Sequence, residues 1–349
     1  MSFVNFAALC GIDFTGHIMD KILLGHGSGG KLMHALISEH FSPAFGNTGA
    51  GDSAIVDVRS KRLAYTTDSY VVSPLFFPGG NIGDLAVCGT VNDLSVAGAE
   101  PLYLTTGFII EEGFPLTDLK TIIASMASAA RTAGVTIVAG DTKVVNKGKA
   151  DGLFINTSGI GVINEGIDIS PKNIREGDAV IISGELGNHG VAILAERNGL
   201  TFNPAIVSDT RSLNGLVRNM YRASNRIRFM RDPTRGGLAT TLKEAALESG
   251  LCIRIREQSL PVPPPVKGAC SLLGLDPLYV ANEGILTAVV EPADADGIVA
   301  AMRAHEHGTN AVVIGSVDRS APGMVLLETA IGGSRIIDML PGEMLPRIC

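Results

Sequence analysis

Five aspartates, each flanked by small residues, are the first candidates for chemistry in this sequence. They are Asp52 in GDSA, Asp68 in TTDS, Asp93 in VNDL, Asp141 in AGDTK and Asp232 in RDPTRGG. A single aspartate of this kind is most often a turn former or a helix cap, but small neighbours allow another group to approach closely. Mg²⁺ prefers one or two carboxylates together with water and substrate phosphates. The set therefore indicates an ATP–Mg²⁺ site.

Two further segments offer the positive charge and backbone N–H groups that phosphates need. Residues 24–31 (LGHGSGGK) form a glycine-rich loop followed by apolar residues at helical spacing, so its N–H groups and Lys31 can meet a phosphate. The loop matches neither of the common phosphate-binding glycine patterns and is weak by itself. Lys143, two residues after Asp141, can offset phosphate charge during transfer, or it is a solvated lysine at a strand end.

A cysteine, Cys349, is the last residue of the chain. Pro341 and Pro346 fix φ in the segment before it, which predicts a semi-rigid, extended arm. A thiol at the end of such an arm can enter a cleft that no loop-borne thiol could reach. The alternative is a frayed terminus with an incidental cysteine.

Composition limits the class of protein. The chain has 349 residues, 46% of them hydrophobic, with 42 glycines and a net charge of −7, which suits a well-packed two-domain enzyme and disfavours nucleic acid as a partner. No apolar run reaches membrane-spanning length. The 5 cysteines include no CxxC pair, so a reducing cytoplasm is expected. Residues 1–20 lack the basic start of a signal peptide and are treated as an extension without assigned function.

Hydrophobic periodicity predicts the elements that must position these residues. In the first half we expect strands at residues 55–58, 63–67, 101–110, 135–138 and 153–163, a helix opening near Asn81, and a helix over residues 116–133 with Thr117 as its N-cap. Asn92 and Asp93 fall in the otherwise apolar first helix. They lie either on a solvated face or in the interior with partners, because a buried polar pair without partners is costly.

The second half alternates strands and helices, which predicts an α/β sandwich. Strands are expected at residues 179–183, 252–256, 285–291, 311–317 and 324–328, and helices at residues 190–197, 208–224, 236–249, 266–273 and 293–305. A polar, turn-rich stretch at residues 164–178 separates the halves. The predicted organisation is an extension (1–20), an ATP-binding domain (21–165), a second domain (166–335) and a mobile tail (336–349).

The order of the motifs GSGG, GDSA, TTDSYVV, NDL, AGDTK, RDPTRGG and ANEG resembles the superfamily of aminoimidazole ribonucleotide synthetase (PurM) and selenophosphate synthetase. Within that superfamily, DSYVV, FFPGGNIG, GDTKVV and the final PRIC are similar to the HypE family of [NiFe]-hydrogenase maturation factors. The resemblance covers residues 21–349, and the PRIC ending together with GDTKVV makes it specific.

The resemblance implies a PurM-like two-domain α+β fold whose N-terminal mixed sheet forms a barrel in a homodimer, followed by a C-terminal α/β sandwich. It assigns Asp52, Asp93 and Asp232 to magnesium. The residues that it places at ATP are Asp68, Asp93, Gly140, Asp141 and Thr142, beside the glycine loop with Lys31. Members of the family accept a carbamoyl group on the terminal cysteine and dehydrate it with ATP to a thiocyanate. A HypF-like carbamoyltransferase is the implied donor, and an iron-carrying HypC–HypD complex is the implied acceptor of cyanide.

The implied chemistry needs a base and a group that stabilises charge. An S-carbamoyl group loses water only if its oxygen becomes a leaving group, which phosphorylation achieves, and a base must then remove an N–H proton. Glu283 in ANEG is the candidate base, because a desolvated carboxylate can have a pKa nearer neutrality. Lys143 is the candidate for stabilising charge on oxygen or phosphate. Alone, Glu283 would more often be a residue beside a turn.

Two alternatives remain open from the residues. A synthetase or kinase of the same superfamily could act on a free small molecule, in which case the tail has no chemical role. A non-catalytic scaffold could dock its tail into a partner, and would not depend on ATP. A covalent adduct on the C-terminal peptide is expected only if the chain dehydrates a carbamoyl group on Cys349, so it distinguishes that function from these alternatives.

Overall fold

Two β-sheets, each covered by helices, organise the part of the chain that the computed structural model describes, residues 21–23, 36–45, 62–339 and 347–349. The predicted strand at residues 55–58 lies outside the described residues, as do the extension of residues 1–20, Lys31 and Asp52. Among the described residues, every helix is too short or too polar to cross a lipid bilayer.

The first sheet has four strands in the order β1–β6–β4–β5, with β4 and β5 parallel and the other pairs antiparallel. Its strands are β1 (Leu63–Tyr70), β4 (Ala99–Glu111), β5 (Thr136–Val145) and β6 (Leu153–Ile163), and a small hairpin joins β2 (Phe76–Phe77) to β3 (Gly80–Asn81). The helices of this half are α1 (Ser42–Phe45), preceded by a π-helical turn (Ile37–Phe41), then α2 (Ile82–Val96) and α3 (Leu116–Ala133). Helices α2 and α3 pack on one face of the sheet and form the first core.

Helix α2 lies at the centre of the molecule. Its start is fixed by a capping box, in which Asn81 accepts from the N–H of Gly83 at 2.8 Å and Asp84 accepts from the N–H of Asn81 at 3.0 Å. Nearly every residue that follows is buried. Because the helix touches both domains, its polar residues Asn92 and Asp93 lie where the two domains meet.

The second sheet has seven strands in the order β13–β12–β9–β11–β7–β10–β8, antiparallel except for the β12–β9 pair. Its strands are β7 (Ala179–Ile182), β8 (Ile227–Arg231), β9 (Cys252–Arg256), β10 (Thr287–Val290), β11 (Val312–Asp318), β12 (Val325–Glu328) and β13 (Ser334–Ile337). The helices are α4 (Asn188–Arg197), α5 (Asn214–Ala223), α6 (Gly237–Ser249), α7 (Pro264–Leu273) and α8 (Ala295–Arg303).

Strand β7 is buried along its whole length because both faces of the second sheet are covered. Val180 and Ile182 face a core shared with α6, whereas Ala179 and Ile181 face a core shared with α5 and α8. The predicted α/β sandwich of the second half is confirmed.

Three predicted boundaries are wrong for identifiable reasons. Thr117 is not the N-cap, since α3 begins at Leu116 after Pro115 and the Thr117 hydroxyl donates to Asp118 instead. The predicted strand at residues 135–138 continues to residue 145 because β5 pairs in parallel with β4 along its length. The predicted helix at residues 208–224 begins only at residue 214, because the preceding residues form a loop that contacts the candidate site.

Candidate active site

Four acidic side chains from different elements meet where the domains join: Asp68 of β1, Asp93 of α2, Asp232 after β8, and Glu283. We call them the acidic cluster. Asp232 and Glu283 are 7% and 2% exposed. Burial raises the pKa of each of Asp93, Asp232 and Glu283, and negative charge from other members raises it further. Carboxylates held together against their own repulsion fit a site that receives a cation.

Asp93 has a partner on the neighbouring strand, the Thr66 hydroxyl, which donates to its Oδ2 at 2.8 Å. Its neighbour Asn92 is fully buried and donates from Nδ2 to the carbonyl oxygens of Arg211 at 3.0 Å and Glu283 at 3.3 Å. The Asn92 Oδ1 accepts from the N–H of Leu213 at 2.8 Å. Asn92 therefore lies in the interior with partners, and Asp93 is half-buried with one, so neither lies on a solvated face.

The loop that carries Asp232 is tied to the ANEG segment. Asn282 donates from Nδ2 to the carbonyl of Pro233 at 3.0 Å, and its own N–H donates to the same oxygen at 3.2 Å. Asn282 Oδ1 accepts from the N–H of Gly187 at 2.7 Å. The buried amide of Asn282 thus positions Asp232 relative to Glu283.

The backbone of Glu283 is fixed from two sides. Asp209, itself buried, accepts from the N–H groups of Glu283 and Gly284 at 3.1 Å each, while Asn92 binds the Glu283 carbonyl. A Cβ on Gly284 would lie 1.7 Å from the Asp209 carbonyl oxygen, so this close approach requires glycine. The buried Glu283 Oε1 has no hydrogen-bond partner among the described residues. An orphaned, protonatable oxygen in the cluster is available to a ligand.

Tyr70 connects the cluster to the interior of the first domain. Its Oη donates to Asp68 Oδ2 at 3.2 Å and lies 3.5 Å from the Thr90 hydroxyl. Burial, and then the Asp68 charge, raise the pKa of Tyr70, so the phenol keeps its proton. A Cβ on Gly89 would lie 2.2 Å from Tyr70 Oη, so glycine makes room for the phenol.

The terminal residues 347–349 are docked against the end of β1. The N–H of Val71 donates to the terminal backbone oxygen of Cys349 at 3.1 Å, and the N–H of Ser73 donates to the carbonyl of Arg347 at 3.2 Å. Val71 follows Asp68 by three residues, so their Cα atoms lie about 10 Å apart in extended chain. The side chain of Cys349 is half-buried and packs against the first core. The terminal residues therefore lie at the end of the strand that carries Asp68.

Residues of β5 lie elsewhere. Thr142 is 4% exposed and points to the helix-covered face of the first sheet, whereas Gly140 is exposed. Asp141 and Lys143 point to the opposite face, where they form an exposed ion pair at 2.7 Å. Asp68 on β1 and Gly140 on β5 lie in the same row of paired residues, three strands apart, so their backbones are separated by about 14 Å. Within one chain, Asp141 and Lys143 are therefore not brought to the acidic cluster.

Of the predicted magnesium ligands, Asp93 and Asp232 belong to the cluster and Asp52 lies outside the described residues, as does Lys31 at the glycine loop. Across residues 62–339 and the shorter described segments, no three His, Cys, Asp or Glu side chains are close enough to hold a metal unaided. Mg²⁺ takes one or two carboxylates and completes its shell with water and phosphate oxygens. The carboxylates present fit such an ion.

Sequence reasoning missed Tyr70, His189 and Asp209. His189 is fully buried, and Nε2 lies 2.8 Å from the Ile348 carbonyl. Asp209 was hidden in a stretch that reads as helix. Tyr70 directly follows a predicted site motif, TTDS, and its position two residues after Asp68 on a strand places both side chains on one face; that signal was available.

Family models and curated relatives both match most of this chain. Residues 50–163 match the sequence model of the AIR synthase related protein, N-terminal domain, and residues 175–325 match that of its C-terminal domain. The carbamoyl dehydratase HypE of Bradyrhizobium diazoefficiens is 57% identical over 330 residues, covering 93% of this chain and 95% of the relative.

Solved structures agree with that similarity. The crystal structure of hydrogenase maturation protein HypE in complex with ATP has a TM-score of 0.91 at 48% identity, covering 94% of this chain and 99% of that chain. A crystal structure of a HypE–HypF complex matches with a TM-score of 0.78 at 50% identity, covering 88% of this chain and 100% of that chain. The two-domain fold implied by the sequence resemblance is confirmed.

Proposed function

Because the chain belongs to the HypE family of carbamoyl dehydratases, built from the two domains of AIR synthase related proteins, we propose that it uses ATP to dehydrate a carbamoyl group carried on Cys349. The product is a thiocyanate on the same sulfur, which supplies cyanide ligands to the iron of [NiFe]-hydrogenase. The high identity to HypE supports this function over a kinase or synthetase acting on a free small molecule.

One observation carries the proposal: the residue that bears the thiol is docked at the strand end that carries Asp68. Its terminal backbone oxygen accepts from the N–H of Val71, and Ile348 beside it is 2% exposed in the first core. Burial of the Ile348 side chain and the backbone hydrogen bonds fix the terminus at this strand end. The arrangement is that of a tethered substrate.

The reaction divides into two steps. The carbonyl oxygen of Cys–S–C(=O)NH₂ attacks the γ-phosphorus of ATP and ADP leaves, while one N–H proton passes to a carboxylate of the acidic cluster, which gives Cys–S–C(=NH)–OPO₃²⁻. A base then removes the remaining acidic N–H proton while the C–O bond breaks and phosphate departs, which leaves Cys–S–C≡N. Water is excluded while the tail fills the cleft, which protects the activated intermediate from hydrolysis.

Glu283 is the proposed base. Burial, followed by the charges of Asp232 and Asp209, raises its pKa well above the ordinary value, so the carboxylate form is a stronger base than an exposed glutamate. Its unpartnered Oε1 is available for the proton. Asp209 and Asn92 keep its backbone in place without occupying that oxygen.

ATP is proposed to bind beside Asp68 and Asp93, with Lys31 near its phosphates and with Gly140, Asp141 and Thr142 reaching them from the β5 of a second subunit. Asp93 and Asp232, together with Asp52, would hold Mg²⁺, which offsets phosphate charge when bound. We keep Lys143 as the residue that stabilises developing negative charge. Since it points away from the cluster in one chain, this role requires that a second subunit present its own β5 at the cleft.

A homodimer is part of the proposal for that reason. The face of the first sheet that helices leave uncovered exposes Tyr65 at 71% and Ile109 at 45%, and these residues would be covered if two such sheets closed into a barrel. A HypF-like carbamoyltransferase is the proposed donor, as suggested by the relative solved as a HypE–HypF complex, and a HypC–HypD-like complex is the proposed acceptor. We infer a cytoplasmic location, where reducing conditions keep Cys349 a thiol.

The test is the mass of the C-terminal peptide. Protein carbamoylated by a HypF-type donor should lose the mass of one water from that peptide when ATP and Mg²⁺ are added, with one ADP formed per chain. Cys349→Ser should form neither adduct nor donor-dependent ADP, whereas Cys270→Ser, a buried cysteine of the second domain, should behave as the wild type. Donor-dependent ADP production by Cys349→Ser would refute the function.

A further inference from the structure

Backbone oxygens of the last three residues accept hydrogen bonds that hold the docked tail. A backbone oxygen of each of residues 347–349 accepts a hydrogen bond: Arg347 from Ser73 and Arg197, Ile348 from His189, and Cys349 from Val71. Two of these donors lie in the segment that follows strand β1 of the first domain, and two belong to helix α4 of the second domain. The tail is therefore clamped between domains.

Helix α4 contributes one donor from each of its ends. His189 lies in its first turn and Arg197 is its last residue. Arg197 donates from Nε to the carbonyl of Ser73 at 2.8 Å and from Nη2 to the carbonyl of Arg347 at 2.8 Å, so one guanidinium spans both paired segments. A helix presenting two donors in this way fixes both the position and the direction of the bound segment.

His189 is held in the orientation that this contact needs. A carbonyl oxygen can only accept, so Nε2 carries the hydrogen and donates to Ile348, and Nδ1 is left to accept from the Ser208 hydroxyl at 2.8 Å. The ring is fully buried against the edge of Phe77. Burial lowers the pKa of His189, which keeps the imidazole neutral with one donor and one acceptor.

Contacts of the Arg347 side chain stabilise an unfavourable backbone conformation at this residue. Its φ of 52° lies in the left-handed region, which is unfavourable for a residue with a side chain. The conformation persists because its guanidinium donates to the Val71 carbonyl at 2.9 Å, pairs with Asp151, and lies 5.8 Å from the ring centroid of Phe154. Loss of the clamp would let this residue relax and the tail leave.

We infer that His189 and Arg197 are positioning residues that latch the tail through its backbone carbonyl groups. The inference rests on the proposed function, which gives the tail its chemical role. Because the latch acts on backbone oxygens, its hydrogen bonds can form whether the sulfur carries hydrogen, a carbamoyl group or a cyano group.

The latch is tested by the alkylation rate of each cysteine in the full-length protein, followed by peptide mass spectrometry with iodoacetamide as the probe and without ATP or donor. His189→Leu and Arg197→Met should each raise the rate at Cys349 by about three- to tenfold, the effect of losing one or two hydrogen bonds. His189→Gln, whose amide can replace the Nε2 donor, should stay near the wild type. Arg218→Met, on the surface of α5, is the matched control and should not change the rate.

The buried Cys252 and Cys270 report whether the fold is intact, and they should label slowly in every variant. In a single turnover of carbamoylated protein, His189→Leu should slow dehydration while ATP affinity stays unchanged, and His189→Gln should restore the rate. Cys349 labelling within twofold of the wild type in both His189→Leu and Arg197→Met would overturn the latch. Since labelling needs no ATP chemistry, that result would leave the proposed dehydratase activity to be judged by its own test.

Discussion

Replacing Asp93 by asparagine should stabilise the ligand-free protein while removing its response to Mg²⁺–ATP. Burial, then the charges of Asp232 and Asp68, raise the pKa of Asp93 to about 8. From the ordinary value of 3.8 up to pH 7, each pH unit costs about 1.4 kcal/mol of folding free energy. The upper limit is therefore about 4 kcal/mol. Sharing of protons within the cluster lowers it, and we expect a gain of about 1–2 kcal/mol.

The direction with pH follows from the raised pKa. Between pH 4 and pH 8 the folded protein holds more protons at this site than the unfolded chain, so the stability of the ligand-free wild type should fall as pH rises through that window. Asparagine has no proton to lose, and its Oδ1 can still accept from Thr66. The variant should therefore show a flatter dependence on pH, with a higher melting temperature at pH 7 by roughly 2–4 °C.

Differential scanning fluorimetry across pH, with and without Mg²⁺–ATP, measures both effects. The wild type should gain stability on adding Mg²⁺–ATP, because ligands that bind only the folded state raise its melting temperature, and Asp93→Asn should gain little. The exposed Asp296→Asn is the matched control and should change stability by less than about 0.5 kcal/mol. A ligand-free Asp93→Asn protein that melts below the wild type at pH 7 would refute the electrostatic reasoning.

Three further substitutions examine the site. Glu283→Gln should abolish single-turnover dehydration but keep ATP binding, measured by calorimetry, because its backbone contacts do not involve the side chain; retained dehydration would exclude it as the base. Tyr70→Phe removes the hydroxyl that donates to the acidic cluster and should weaken Mg²⁺–ATP binding about three- to tenfold. The control Tyr279→Phe should bind Mg²⁺–ATP as the wild type does. Equal affinities of Tyr70→Phe and the wild type would contradict the assigned contact. Gly284→Ala should lower the free energy of unfolding in urea by more than about 3 kcal/mol, since its Cβ would lie 1.7 Å from a backbone oxygen. Gly297→Ala, in helix α8 with open space around it, should be neutral or stabilising by up to about 1 kcal/mol. Similar losses of stability in both variants would argue against the close approach.

The sequence predicted elements well where a single local rule decides them. Helix α3 and strand β6 have the predicted bounds, because amphipathic periodicity and β-branched residues are local signals. The length of β5 could not be read, since residues after Gly140 become strand only through pairing with β4. Strands β8 and β13 were missed for the same reason.

Sequence motifs likewise identified some residues of the candidate site, whereas others depend on contacts between distant segments. Motifs identified Asp68, Asp93 and Asp232 as carboxylates with small neighbours, and three-dimensional proximity then joined them. Spacing could not reveal that Asp141 and Lys143 face away from the cluster, because that depends on which face of β5 the helices cover. Nor could it find Asp209, whose partners are backbone N–H groups 74 and 75 residues away.

Asn92 has a consequence for how the molecule can move. One side chain on α2 of the first domain binds the backbone of Arg211, Leu213 and Glu283 in the second, so the domains cannot swing open without breaking the support of the proposed base. Hinge bending between the domains would break these hydrogen bonds and release the backbone of Glu283 in every catalytic cycle. Displacement of the docked residues 347–349 alone would leave the Asn92 hydrogen bonds intact.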